Sequence, residues 1–214
     1  DYDGCSTCML SFTSDQISAL EHVYDKRTSF NIAAVNMSLV GGSYATSCDT
    51  EDPRTAAIEL LRSVNIATVV SSGNQAYTDR IGAPACISAA VSVGSTTDTD
   101  SVSWFSNSAQ ILDLLAPGSD ITSSVPNNGF VPKSGTSMAA PHVAGAFALL
   151  RAKTPAASVA DILAVLQSTG IPILDSRNEI STPRIQVDAA LAAVESVLVF
   201  HTVTASASVG GSIS

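Results

Sequence analysis

The spacing of apolar residues predicts two consecutive helix–strand units in the first part of the chain. Residues 13–27 place their apolar side chains on one helical face, and residues 32–39 follow as a buried strand. The second unit begins with Asp52 as the N-cap and Pro53 at the first helical position, and its strand covers residues 66–71. Helices that alternate with strands in this way indicate parallel strand pairing.

Two further strands and three further helices are predicted along the rest of the chain. Residues 90–94 and 111–116 have the apolar character of strands, while residues 137–151, 158–167 and 187–198 have the spacing of helices. The pattern as a whole predicts an α/β fold in which a doubly wound, mostly parallel sheet has helices on both of its faces.

The last residues follow a different pattern. After residue 198 the sequence turns to Ser, Thr, Ala and Gly with a period close to two. We interpret residues 199–214 as the start of a Ser/Thr/Gly-rich β extension, and a flexible tail explains them about equally well. Residues 1–198 are expected to form the main domain.

The charge and hydropathy of the chain exclude two classes of partner. The net charge is -9, which leaves no basic surface large enough to neutralise a row of phosphates, so nucleic acid is not expected as a partner. No apolar run reaches the roughly 18 to 20 residues that a membrane-spanning helix needs. The sequence therefore predicts no membrane span.

The four cysteines favour disulfides over a zinc site, because no histidine is spaced as a metal ligand beside them. Disulfides imply an oxidising compartment, so secretion is predicted. Three pairings are open, and we favour Cys5 with Cys8 and Cys48 with Cys86, since each would staple a loop around a core element. A redox-active Cys5–Cys8 pair is the alternative, but the strand and helix of a thioredoxin-type site do not flank it.

The strongest local signal is a serine at the start of a helix of small residues. Ser137 opens the predicted helix 137–151, where backbone N–H groups are free and the helix dipole is positive. Negative charge that forms beside Ser137 would be stabilised there, as in one half of an oxyanion hole. Taken alone, Thr136 and Ser137 would more simply be capping residues.

An asparagine gives the second signal. Asn74 follows the predicted strand 66–71, where a side-chain amide can project from the carboxyl end of a parallel sheet. Turn chemistry explains an isolated Gly-Asn pair better. Beside Ser137, however, Asn74 becomes a candidate hydrogen-bond donor.

Five short segments occur in a characteristic order along the chain. They are Asn36-Met37-Ser38-Leu39, Ser72-Gly73-Asn74, Phe105-Ser106-Asn107, Leu115-Ala116-Pro117-Gly118 and the twelve-residue serine motif at 134–145. In this order they resemble the subtilisin-like serine proteases (the subtilase family), and the serine motif is highly specific. The resemblance spans about residues 5–193. It implies a subtilisin-like fold with its N-terminal part missing, residues 1–198 being the C-terminal two-thirds of the catalytic domain.

The resemblance also implies a function. Ser137 would be the nucleophile of a serine endopeptidase, and the Asn74 side chain together with the N–H of Ser137 would hold the oxyanion. No cofactor would be required for the chemistry. Polypeptides would be the substrates, and the complete protein would be a secreted monomer.

The residues implied to line the substrate cleft are Ser38, Leu39, Val40, Gly41, Ser71, Ser72 and Gly73. The resemblance implies a preference for apolar or aromatic side chains before the cut, and because none of these residues is acidic, selective cleavage after Lys or Arg is not expected. Val40 departs from the family pattern, which usually has Gly directly after the Ser-Leu pair. It either alters the shape of a subsite or is simply tolerated in an extended strand.

The sequence lacks an obvious general base for Ser137. The three histidines are His22, His142 and His201, and none lies in a motif like that of the family's catalytic His. The resemblance places the catalytic Asp and His upstream of residue 36, so both are expected before residue 1. The fragment alone is then expected to be nearly inert, with the missing N-terminal part of its own domain as a partner.

Other interpretations remain open. Two acidic segments, 49–52 and 98–100, offer oxygen ligands for a structural calcium ion, but loop capping explains them more readily, so no metal ligand is assigned. A catalytically inactive pseudo-protease that serves as a binding domain is the first alternative function. An α/β-hydrolase-type esterase, with Asp188 and His201 after Ser137, is the second and leaves the Asn74 amide without a role.

Overall fold

The structure is a computed structural model, and it describes residues 11–197 of the chain. That stretch contains the helices α1 (Thr13–Lys26), α2 (Thr55–Ser63), α3 (Thr136–Lys153), α4 (Val159–Thr169) and α5 (Val187–Val197). Its strands are β1 (Ala34–Met37), β2 (Gly41–Tyr44), β3 (Ala67–Ser71), β4 (Ile81–Ala83), β5 (Val91–Thr96), β6 (Leu114–Pro117), β7 (Ile121–Val125), β8 (Gly129–Lys133), β9 (Ile171–Asp175) and β10 (Ile180–Arg184).

The centre of the fold is a six-stranded sheet in the order β1-β3-β5-β6-β10-β9. All neighbouring strands are parallel except the last pair, in which β9 runs antiparallel to β10. The prediction of an α/β fold with a mostly parallel sheet is confirmed. The helices predicted at 13–27 and 158–167 are present within two residues of their expected bounds, and Ser158 caps α4 in a capping box with Asp161.

Two apolar cores lie on opposite faces of this sheet. Consecutive strand residues alternate between them: Val69 and Leu114 join one core, while Val70 and Leu115 join the other. The first core contains α3, α4 and α5, and the second contains α1 and α2. β3 is buried along its whole length, so its apolar residues stand at consecutive positions, as at Val69 and Val70, and do not alternate with exposed polar ones.

The second helix begins later than predicted. It starts at Thr55 with Arg54 as the N-cap, and not at Pro53 with Asp52 as the N-cap. The Asp52 carboxylate instead accepts hydrogen bonds from the Arg54 N–H (2.9 Å) and Nε (2.8 Å), which holds the chain in a turn before the helix. Burial acts to raise the pKa of Asp52, but the bonds from Arg54 outweigh it and lower the pKa overall.

Three antiparallel pairs were not predicted from the sequence. They are β2 with β4, β7 with β8, and β9 with β10. The β7–β8 hairpin is largely exposed, and polar residues separate its few apolar ones, so it lacks an apolar period. Both strands of the β9–β10 hairpin contain proline, which is tolerated there near the edge of a sheet.

The turn of the β9–β10 hairpin forms hydrogen bonds with the loops at one end of the sheet. Arg177, in its turn, donates to the carbonyl oxygens of Trp104 and Ser106, both at 2.9 Å. The adjacent Asn178 donates to the carbonyl oxygen of Thr78 at 2.6 Å. These contacts join residues about 70 to 100 positions apart in the sequence.

A disulfide joins Cys48 to Cys86 and links the loop before α2 to the segment after β4. Cys5 and Cys8, like residues 199–214, lie outside the described residues. Within residues 11–197, no helix combines the length and the apolar character that a membrane crossing demands.

One carboxylate is held next to the sheet. Asp113 is half-buried directly before β6, and it accepts hydrogen bonds from the N–H and the Oγ of Ser92, both at 2.8 Å. Burial raises the pKa of Asp113 above its ordinary value, and the bonds from Ser92 offset only part of this rise.

Asp113→Asn is therefore expected to stabilise the protein near neutral pH. Because its folded-state pKa is raised, the contribution of Asp113 to stability is fully present below the unfolded pKa and is lost as the pH rises through the folded value. An asparagine oxygen can accept the same bonds without a charge. In thermal melts from about pH 4 to 7, the Tm advantage of the variant should grow with pH. An advantage that does not change with pH would contradict this account.

Asp161→Asn is the matched control for that experiment. Hydrogen bonds from Ser158 lower the pKa of Asp161, so its stabilising contribution is present at neutral pH and is lost as the pH falls. The control should therefore be less stable than the wild type at neutral pH, and the difference should shrink in acid.

Candidate active site

Three segments meet at the carboxyl edge of the parallel strands. Ser38 follows β1, Asn74 follows β3, and Ser137 lies in the first turn of α3, which packs across β1, β3, β5 and β6. The Oγ of Ser38 donates to the carbonyl oxygen of Ser137 at 2.8 Å. The Oγ of Ser137 is 3.4 Å from the carbonyl oxygen of Ser38, so its only hydrogen bond within the described residues is a long one.

The side chain of Asn74 is oriented by Thr136. Its Oδ1 accepts hydrogen bonds from the N–H and the Oγ1 of Thr136, both at 2.9 Å. The Oγ1 of Thr136 accepts in turn from the N–H of Gly73 at 3.2 Å, and Thr136 is fully buried. Since an amide has its donors on the nitrogen alone, these bonds leave Nδ2 as the free end of the Asn74 side chain.

Two N–H donors flank the backbone of Gly135. A Cβ atom added to Gly135 would lie 3.4 Å from Asn74 Nδ2 and 3.7 Å from Ser137 N. Within residues 11–197, no hydrogen bond uses either of these donors. Because Gly135 has no side chain, the space between them is open to a ligand atom, and the N-terminus of α3 adds the positive end of its dipole. The arrangement is suited to an anion.

The residues expected in the cleft occupy two different environments. Ser71 and Ser72 are buried, and the Oγ of Ser72 donates to the carbonyl oxygen of Asn107 at 3.0 Å. Because their side chains are buried, Ser71 and Ser72 can present only backbone groups to a ligand. Ser38, by contrast, is exposed, and Leu39 is half-buried beside it.

The side chain of Val40 has a defined place. A Cβ atom added to Gly82 on β4 would collide with the Cγ2 of Val40, so the absence of a side chain at Gly82 makes room for Val40. Gly41, the next residue, pairs with Ala83 on the same strand. The N–H of Gly82 donates to the carbonyl oxygen of Ser72 at 2.9 Å, so β4 connects the two expected walls of the cleft.

Of the two described histidines, His142 lines the same surface pocket as Ser137, but neither bonds to the Ser137 hydroxyl. His142 is exposed on α3, and its Nδ1 shares a hydrogen bond with the carbonyl oxygen of Met138 at 2.8 Å. His22 is exposed on α1, and His201 lies outside the described residues. No histidine or carboxylate of residues 11–197 forms a hydrogen bond with Ser137.

The acidic segments considered for calcium are engaged by protein donors. Asp49 accepts hydrogen bonds from the N–H (2.8 Å) and Oγ (2.7 Å) of Ser88, and the backbone bond is the main reason that its pKa is lowered. Asp100 forms an ion pair with Arg184 at 2.7 Å. Among the described residues, no three His, Cys, Asp or Glu side chains lie close enough together to hold a metal ion.

Comparison with known proteins decides the family. The profile of the subtilase family matches residues 6–192. The chain belongs to the subtilase family.

Named relatives agree with this assignment. This subtilase is 32% identical to subtilisin DY of Bacillus licheniformis over 76% of its own chain and 58% of the relative. It is 39% identical to an extracellular serine proteinase of Thermus sp. strain Rt41A over 63% of its own chain and 32% of the relative. It therefore spans about a third to three fifths of the length of these two proteins.

Solved structures support the same fold. A cold-adapted subtilisin-like serine proteinase matches this subtilase with a TM-score of 0.67 and 30% identity, over 82% of this chain and 61% of the other. The prenylagaramide maturation protease PagA matches with a TM-score of 0.74 over 89% of this chain and 71% of the other. At 23% identity, the PagA match speaks for the fold alone.

Two residues of the subtilase site were missed as functional residues by sequence reasoning. Thr136 was considered only as a cap, yet it orients Asn74. Asn107 was noted only as part of a family segment, yet it lies directly beneath the loop that carries Asn74. The position of Asn107 in that segment was the one signal in the sequence that could have drawn attention to it.

Proposed function

We propose that the full-length protein is a serine endopeptidase that hydrolyses peptide bonds in proteins. Ser137 is the nucleophile, and Asn74 Nδ2 and the Ser137 N–H bind the oxyanion. The observation that carries this proposal is the pair of unused donors on either side of Gly135, next to the hydroxyl of Ser137. Among the described residues, the structure uses only the Oδ1 of Asn74, which accepts from Thr136. The Nδ2 has no structural role there, so we assign it to oxyanion binding.

The reaction proceeds through an acyl-enzyme. Ser137 Oγ attacks the peptide carbonyl carbon while its proton passes to a general base, and the carbonyl oxygen takes the negative charge between the two donors. Collapse of this intermediate returns the proton to the leaving amine and leaves an ester on Ser137. Water then hydrolyses the ester by the same steps. No cofactor takes part.

The general base and its carboxylate partner are assigned to residues upstream of those described. The longer relatives are consistent with a further part of the domain. A groove of about 350 Å³ runs beside β1, and Leu20, Val23, Val35, Met37 and Leu39 contribute apolar side chains to it. In the described part of the chain, β1 pairs only with β3, so its other edge is available to an upstream strand of the same domain.

The substrates and location follow from the same proposal. Polypeptides with apolar or aromatic side chains before the cut fit walls that contain no charged residue, at 38–41 and 71–73. Secretion fits the Cys48–Cys86 disulfide, and the complete protein is a monomer in this proposal. Calorimetric titration of the full-length protein with calcium would test whether it binds a structural calcium ion.

Labelling with a fluorophosphonate tests the function. The full-length protein should be labelled at Ser137 and should lose casein hydrolysis in proportion to labelling. A full-length protein that is neither labelled nor active would instead be a pseudo-protease. An esterase would hydrolyse a simple ester but leave casein intact.

Asn74→Ala is expected to lower kcat about a hundredfold to a thousandfold, with a much smaller change in KM, because the lost donor acts mainly on the oxyanion. That range comes from subtilisin, a member of the same family, and not from this structure. Steady-state kinetics with a chromogenic peptide would measure it. Gln167→Ala, which removes an exposed amide on α4, is the control, and a loss in kcat as large as that of Asn74→Ala would contradict the assignment.

A further inference from the structure

The side chain of Asn107 forms hydrogen bonds with the loop at 72–77, which carries Asn74. The Oδ1 of Asn107 accepts hydrogen bonds from the N–H groups of Gln75 (3.0 Å) and Tyr77 (3.1 Å). Its Nδ2 donates to the carbonyl oxygen of Ser72 (3.0 Å) and to the Oε1 of Gln75 (2.9 Å). Asn107 is fully buried, and both ends of its amide are used within this loop.

The backbone of Asn107 binds the same loop. Its N–H donates to the carbonyl oxygen of Gly73 at 2.9 Å, and its carbonyl oxygen accepts from the Oγ of Ser72 at 3.0 Å. The contacts therefore reach the residues on both sides of Asn74. The Asn74 side chain itself bonds only to Thr136 within the described residues.

Gly73 brings the loop against Asn107. Its φ of +110° is one that side chains with a Cβ rarely adopt. A Cβ atom added to Gly73 would also collide with Asn107 Nδ2. The residue directly before Asn74 is thus packed on the amide of Asn107.

We propose that Asn107 is a positioning residue for oxyanion binding. It fixes the loop at 72–77 so that Asn74 Nδ2 stays beside the N–H of Ser137. The role requires an amide, because the loop presents two N–H donors to one end of the side chain and two oxygen acceptors to the other. An aspartate would turn a carboxylate oxygen toward the oxygens of Ser72 and Gln75. This inference rests on the proposed function of Asn74.

Asn107→Asp in the full-length protein tests the proposal. We expect kcat to fall about tenfold to a hundredfold, less than the loss of the donor itself, with KM changed little. A double-mutant cycle gives the decisive readout. When Asn74 is already alanine, Asn107→Asp should lower kcat no further, because it acts through Asn74. An equal loss of kcat in both backgrounds would overturn the proposal.

Ser158→Ala is the control for a general loss of stability. Ser158 caps α4, away from the loop, so this variant should lower Tm without changing kcat. If Asn107→Asp does not fold, Gln75→Ala removes one acceptor of Asn107 at an exposed residue. It should reduce kcat in the wild-type background and not in the Asn74→Ala background, and an equal reduction in both would overturn the role of Asn107.

Hydrogen exchange separates failure of this proposal from failure of the proposed function. If the wild type shows neither labelling nor hydrolysis, the proposed function fails. The amides of Gln75 and Tyr77 should still exchange faster in Asn107→Asp than in the wild type, while those of β3 and β5 do not change. Unchanged exchange at Gln75 and Tyr77 would refute the positioning role.

Discussion

Ser137→Ala is expected to lower the kcat of the full-length protein for casein about a millionfold, a magnitude taken from subtilisin of the same family. The reason is that Ser137 is the proposed nucleophile, so without its hydroxyl the acyl-enzyme cannot form. The residual rate would come from substrate binding and oxyanion stabilisation alone. Release of casein peptides, normalised to folded protein by circular dichroism, is the measurement.

Ser134→Ala is the matched control for labelling. Ser134 is exposed three residues upstream, and its Oγ accepts a hydrogen bond from the N–H of Asp120 at 2.9 Å. A fluorophosphonate should still label this variant and should not label Ser137→Ala. If Ser137→Ala retained labelling or more than about a thousandth of the wild-type kcat, another nucleophile would have to carry the reaction.

Phe147→Ala is expected to lower the free energy of unfolding by about 3 to 5 kcal/mol. Phe147 is fully buried on α3, in the core that also contains α4 and α5. Its removal leaves a cavity between α3 and the sheet, and close packing around it limits how far the neighbours can collapse. Urea unfolding of the full-length protein, followed by circular dichroism, would measure the change.

Leu149→Ala provides the comparison on the same helix. Leu149 is 54% exposed, so its truncation should change the free energy of unfolding by less than about 0.5 kcal/mol. A similar destabilisation by both variants would show that helix propensity, and not core packing, dominates at α3. Catalysis by the folded fraction of Leu149→Ala should equal that of the wild type.

The central sheet was predictable because its strands are buried on both faces. Apolar residues occupy the centre of β3 and most of β6, and helix α2 before β3 carries an apolar stripe. The hairpin β7–β8 could not be found in the same way, because its position depends on backbone pairing rather than on side-chain burial. The later start of α2 depends on one local ion pair, between Asp52 and Arg54.

In the candidate site, the residues with a local sequence signal were predictable, and their distant partners were not. Ser137 and Asn74 stand out because each has a local context, a helix start and a strand end. The support for Asn74 comes from Thr136 and Asn107, which are 62 and at least 30 positions away from the groups that they bind. Sequence patterns report neighbours within one element, so contacts of this length become visible only in the folded chain.

Arg177 and Asn178, whose hydrogen bonds hold the loops near the site, are synthesised after the residues of the site itself. Ser137 and the loop of Asn74 leave the ribosome well before these two residues. Until the β9–β10 hairpin forms, the carbonyl groups of Trp104, Ser106 and Thr78 lack these donors. The contacts around Asn107 are therefore complete only after the β9–β10 hairpin has formed.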